Sequence, residues 1–199
     1  MRQKGLLVII SGPSGAGKGT ICKSFTEKND CWISVSATTR QPRIGEVEGI
    51  NYFFMSREEF ESKIADNDFL EYAEVYGNLY GTPKSRVEDI LNSGKDVILE
   101  IDIQGAMQVK ERVKEGVFIF IMPPSMEELK QRIIKRGSET PESLSKRFAS
   151  AFEEMNFISK YDYAVVNDTV DLAVKKVESI IMAEKCRVSR IVENNVHIE

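Results

Sequence analysis

The stretch Leu6-Leu7-Val8-Ile9-Ile10-Ser11-Gly12-Pro13-Ser14-Gly15-Ala16-Gly17-Lys18-Gly19-Thr20 decides the fold. Its first part, Leu6–Ser11, is a short apolar run ending in glycines, which reads as a strand buried on both faces. From Lys18 to about Glu27 the chain reads as a helix. Between the two lies a GxxxxGK pattern, in the strand–loop–helix context that a phosphate-binding loop requires. Its glycines let backbone N–H groups turn inward toward an anion, the helix start adds partial positive charge, and Lys18 can bridge terminal phosphates. The hydroxyl residue expected directly after the lysine is Gly19 here, with Thr20 one place later. Magnesium is therefore expected mainly on phosphates and water, or on Thr20 from a shifted position.

Outward from this loop, Val97–Ile103, Val117–Met122 and Tyr163–Val166 read as further core strands, the second stopping at Pro123-Pro124. Ser125 is placed to cap a helix running to about Arg136, with Glu127 and Glu128 suited to its positive end. Leu172 to about Arg187 reads as a long closing helix. Strands separated by helices imply an α/β fold, a parallel sheet with helices on both faces. Two stretches fit that sheet poorly, 36–86 and 135–161, and read as excursions from a core of 1–35, 87–134 and 162–187. A tail, 188–199, follows. With 199 residues and no long linker, one domain is expected.

Charge and cysteine usage narrow the function classes. Lys and Arg total 27 against 31 Asp and Glu, a net charge of −4, so the basic surplus of a general nucleic-acid binder is absent. No run approaches the roughly 18 apolar residues that span a bilayer, and Leu6–Ile10 is shorter than a signal-peptide core. Cys22, Cys31 and Cys186 are odd in number and lack a CxxC pair, which predicts reduced thiols in a cytoplasmic protein and neither disulfides nor zinc. The only histidine, His197, stands three residues from the end, so a histidine-dependent mechanism is not expected.

A second anion site is suggested by Arg40 and Arg43, three apart around Pro42, where two guanidinium forks could converge on one phosphate. Tyr52, Tyr76 and Tyr80 follow, with Glu71 between them; Tyr76 is read as packing, and 77–82 as a tight turn. Glu100 and Asp102, two apart on one predicted strand, should point to the same side at its carboxyl end, where ligands of open parallel sheets bind. Arg132 and Arg136 are four apart on one predicted helix face, and Arg147 lies in the next helical stretch, 142–152.

In this order, Ser-Gly-Pro-Ser-Gly-Ala-Gly-Lys at 11–18, Ser-Val-Ser-Ala-Thr-Thr-Arg-Gln-Pro-Arg at 34–43, Gly45-Glu46, Asn51-Tyr52, Tyr80-Gly81-Thr82 and Leu-Glu-Ile-Asp-Ile-Gln-Gly at 99–105 resemble the guanylate kinase family over about residues 5–184. The resemblance implies a P-loop NTPase-type sheet with an inserted GMP-binding region, 36–86, and a helical lid, 135–161. It implies transfer of the γ-phosphoryl group of MgATP to GMP or dGMP, in a monomer or small homo-oligomer that binds neither nucleic acid nor membrane. ATP would lie on Ser11, Gly12, Pro13, Ser14, Gly15, Ala16, Gly17, Lys18, Gly19 and Thr20, with Arg132 in support and Lys18, Arg136 and Arg147 as the catalytic cations. Arg40, Arg43, Tyr52 and Tyr80 would hold the GMP phosphate. Ser36, Glu71 and Thr82 would face guanine, with Glu100 and Asp102 near the monophosphate; the family often has Asp at the position of Glu100.

Independent chemistry fits this role for Glu71. Guanine offers two adjacent donors, N1–H and N2–H₂, that one carboxylate accepts, whereas adenine presents a lone pair at N1. Two alternatives stay open on the sequence: a scaffold-type domain that keeps the fold but binds peptides, and a kinase acting on another acceptor such as AMP, dTMP or a ribose bisphosphate.

Overall fold

The computed structural model describes residues 4–75, 77–135 and 141–193, without the side chains of 135, 141–147 and 193. The core is a five-stranded, all-parallel sheet built from β1 (Leu7–Ser11), β2 (Cys31–Ile33), β7 (Asp96–Glu100), β8 (Val117–Met122) and β9 (Tyr163–Val166), in the spatial order β2-β7-β1-β8-β9. The central strand β1 is apolar from Leu7 to Ile10 because both of its faces are covered. Val8 and Ile10 pack with α1 (Lys18–Lys28) and α7 (Val170–Lys185) on one side. Leu7 and Ile9 pack with α3 (Lys84–Asn92) and α4 (Ile103–Arg112) on the other.

The region between residues 37 and 83 folds a second, four-stranded sheet that lacks a strong sequence signature. Its strands are β3 (Ala37–Thr38), β4 (Phe53–Phe54), β5 (Phe69–Val75) and β6 (Asn78–Pro83), in the order β4-β3-β6-β5. Phe60 of α2 (Arg57–Ala65) stacks on Phe69 at 4.3 Å beneath this sheet, with Ala37 and Leu79 beside them. Ser56 starts α2 with a reciprocal capping box to Glu59, which satisfies two backbone donors at the helix entrance. The chain leaves the core again as α5 (Met126–Lys135) and α6 (Pro141–Met155), returns through a 3₁₀ turn (Asn156–Lys160), and ends in α7 and a short α8 (Val188–Glu193).

Three local readings are corrected. The strand expected over Val97–Ile103 stops at Glu100, and Asp102 caps α4 by accepting from the Gly105 amide at 2.8 Å. A short carboxylate that reaches the backbone three residues on begins a helix rather than continuing a strand, so Glu100 and Asp102 do not share a strand face. Residues 77–82 are not one tight turn: only Gly77, at φ +77°, occupies a turn conformation, and Asn78–Pro83 is β6. The closing helix begins earlier than expected, at Val170, where the Thr169 side chain accepts from the Leu172 amide. As the sequence predicts, Ser125 accepts from the Glu128 amide at the start of α5, at 3.1 Å. Tyr76, Arg136 and His197 lie outside the described residues.

Candidate active site

The loop from Gly12 to Gly17 joins β1 to α1 with Gly12, Gly15 and Gly17 all at positive φ. Gly17 is required twice over. It holds the left-handed position before the helix, and a Cβ there would stand 2.4 Å from Asn167 Nδ2. That amide donates to the Ala16 carbonyl at 2.8 Å, while the Asn167 backbone N–H donates to Met122 O. Asn167 thus ties the loop to the ends of β8 and β9, a role with no sequence signal beyond its place after a strand. Lys18 Nζ donates to Gly12 O at 2.6 Å and Pro13 O at 3.2 Å. Burial lowers its pKa, and the charges of Glu100, Glu154 and Asp102 oppose that shift.

Gly19 packs close to the Glu100 carboxylate: a Cβ at Gly19 would lie 3.3 Å from Glu100 Oε1. Thr20 is exposed on the first turn of α1. Among the described residues no group of three or more His, Cys, Asp or Glu side chains is arranged to hold a metal ion.

Between the two sheets, and adjoining Gly19 through Glu100, a cavity of about 390 Å³ is lined by Ser36, Tyr52, Glu71, Tyr80, Glu100 and Asp102 among others. Strand pairing assembles it. In the β5–β6 pair Glu71 stands opposite Thr82, and in the β3–β6 pair Thr38 stands opposite Tyr80. Tyr80 meets Tyr52 edge-on with ring centroids 5.9 Å apart. Glu71 is only 7% exposed, and its Oε1 accepts from Thr82 Oγ1 at 2.6 Å. Burial pushes its pKa up to about 7, against the lowering effect of the Thr82 hydrogen bond. Gly105 makes room for it, since a Cβ there would sit 2.8 Å from Glu71 Oε2.

Arg40 lies beside this cavity, with Cζ 5.4 Å from the centre of the Tyr52 ring. Glu46 holds it by two contacts, 2.8 and 3.0 Å from Nη2, and also accepts from the Arg43 amide at 2.8 Å. Glu46 therefore fixes the loop that carries both arginines, a role its sequence position did not reveal. Arg43 is exposed and does not line the cavity, so the two forks do not converge there in this structure.

Arg132, in α5, donates to Glu128 Oε1 at 3.1 Å and to the Asn167 carbonyl at 3.3 Å, which holds it near the Gly12–Gly17 loop that Asn167 also contacts. Arg147 is described only as a position in α6.

A model of the guanylate kinase family matches residues 4–184. The chain is 70% identical over 192 residues to a guanylate kinase of Clostridium perfringens, covering 96% of this chain and 89% of that protein. It is 55% identical to a guanylate kinase of Clostridioides difficile, with 99% and 96% covered. A crystal structure of guanylate kinase from Anaplasma phagocytophilum aligns with a TM-score of 0.77 at 33% identity, covering 100% of this chain and 99% of that one.

Proposed function

The chain belongs to the guanylate kinase family, and from that premise we propose that it transfers the γ-phosphoryl group of ATP to GMP or dGMP, giving ADP and GDP or dGDP. The observation that carries this reading is a pair of adjoining sites, a glycine loop with Lys18 and a cavity with Glu71, Tyr52 and Tyr80, which meet at Glu100: its carboxylate lines the cavity and lies against Gly19. ATP phosphates would occupy residues 11–20. Glu71 would accept the N1–H and N2–H₂ of guanine, with Ser36 and Thr82 beside it and Asp102 and Glu100 near the monophosphate.

The acceptor oxygen on GMP is already anionic, so no side-chain base is required. What the reaction requires is charge placed against the oxygens of a loose phosphoryl transition state. Lys18 supplies one such charge, and Arg136 and Arg147 would supply others from the lid, 135–161. The donor set near the loop fits magnesium carried chiefly by ATP phosphates and water, with the Thr20 hydroxyl and the Glu100 carboxylate as protein oxygens at hand. The ion would neutralise phosphate charge. The chain's acidic balance and free thiols accord with work in the cytoplasm on small nucleotides, as a monomer or small homo-oligomer, without nucleic acid.

A coupled ADP-release assay with GMP, dGMP, AMP and dTMP as acceptors tests the reading. Guanine monophosphates should be consumed and AMP nearly ignored; equal use of AMP, or no acceptor at all, would overturn it. Arg40→Ala should raise the KM for GMP by about 10–100-fold, the effect of a lost charge-assisted hydrogen bond, with the KM for ATP nearly unchanged. Equal rises in both would argue against separate subsites.

A further inference from the structure

A carboxylate from the lid rests in the phosphate loop. Glu154, in the last turn of α6, accepts from the Ser14 amide at 3.2 Å through Oε2, and its Oε1 accepts from Ser150 Oγ at 3.2 Å. In sequence it is one of two adjacent glutamates before Met155 and carries no motif. The contact bridges 140 residues of chain. Lys18, meanwhile, is turned onto the carbonyls of Gly12 and Pro13, and the Glu154 charge acts on it.

An amide N–H in such a loop has a strong preference for an anionic acceptor. A carboxylate oxygen offers the same charge sign and the same hydrogen-bond acceptance as a phosphoryl oxygen. The loop thus draws on the protein's own groups: an anion from α6 on Ser14, and loop carbonyls on the lysine.

We propose that Glu154 is an affinity-determining residue of the ATP site: its carboxylate is the loop's resident anion, and the nucleotide polyphosphate displaces it from Ser14. The inference rests on the reading of residues 11–20 as the ATP phosphate site. A carboxylate left beside incoming phosphates repels them, so ATP binding is tied to withdrawal of the α6 end that carries Glu154. The residue acts on nucleotides long enough to reach the loop and is indifferent to those that are not.

Calorimetric titration of the full chain with ADP and with AMP, in wild type, Glu154→Gln and Glu154→Ala, tests this. Gln keeps an oxygen to accept from the Ser14 amide and presents an N–H₂ that can donate to the Ser150 hydroxyl, while removing the charge, so it guards against a result caused by misfolding. Both variants should bind ADP about three- to tenfold more tightly, the size of one like-charge repulsion at a partly solvated site, with AMP affinity unchanged. Unchanged or weaker ADP binding in Glu154→Gln would overturn the proposal, as would equal tightening of AMP. Wild-type protein that binds no ADP would overturn the loop reading and this inference together; ADP bound equally by wild type and both variants would remove this inference alone.

Discussion

Lys18→Met lowers phosphoryl-transfer turnover by at least about 10²–10³-fold, the scale on which one preorganised transition-state donor counts, while the protein melts at an unchanged or slightly higher temperature. The two halves have separate causes. On the proposed function the ammonium is the charge that the loop brings to the terminal phosphates, and methionine has a similar length with no charge. The fold does not depend on that charge. Burial lowers the Lys18 pKa, so the folded state holds the ammonium less comfortably than the unfolded chain does, and at neutral pH it detracts from stability. Against this stand the hydrogen bonds to Gly12 and Pro13 that methionine gives up. Single-turnover kinetics with a thermal melt checks both; near-wild-type turnover would remove the phosphate-loop assignment.

Glu71→Gln raises the KM for GMP by about 10–200-fold, corresponding to about 1.5–3 kcal/mol for a hydrogen bond to a charged group. Glutamine can accept one guanine donor but turns its own N–H₂ toward the other. The pH dependence gives an independent reading. Burial pushes the Glu71 pKa up to about 7 from an ordinary 4.5, whereas the proposed contact with guanine needs the carboxylate. Below about pH 7, GMP must therefore bind with loss of a proton, and its KM should climb toward tenfold per pH unit. The variant should lack that limb. The GMP phosphate titrates in both proteins, so the difference between their profiles isolates Glu71.

The same shift sets a stability trend of definite sign. Between about pH 4.5 and 7 the folded protein binds the Glu71 proton and the unfolded chain does not, so stability falls as pH rises through that window. Glu71→Gln should flatten this part of a melting-temperature profile. A variant that follows the wild-type slope would locate the ionisation elsewhere.

What could be read beforehand was local. The run Leu7–Ser11, the glycines after it and Lys18 are contiguous, and each residue's conformational preference points the same way: buried strand, inward-facing amides, helix start. The strand at Val117–Met122 was equally plain, because a strand covered on both faces is apolar at every position, whereas Tyr163–Val166, at the sheet edge with Ala164 exposed, was legible only as a short β-branched run after a turn. Val97 to Ile103 is apolar enough to pass for one strand, and only the Asp102 cap to Gly105 shows where the strand has ended. Asn167 and Glu154 were invisible because an asparagine after a strand and a glutamate on a helix are ordinary until their partners are known.

By itself, then, the sequence determined the strand–glycine-loop–helix unit around Lys18 and the parallel core. The tertiary structure alone decided the second sheet, whose two-residue strands β3 and β4 have no stability apart from partners far along the chain. It also decided that Glu71 meets Thr82 in a buried pair, that Asn167 reaches Ala16 across 151 residues, and that Glu154 finds Ser14. The physical reason is range. Dihedral preference and apolar periodicity act over a few neighbours and are written in order along the chain, whereas desolvation and pairing of polar groups depend on which surfaces are finally brought face to face.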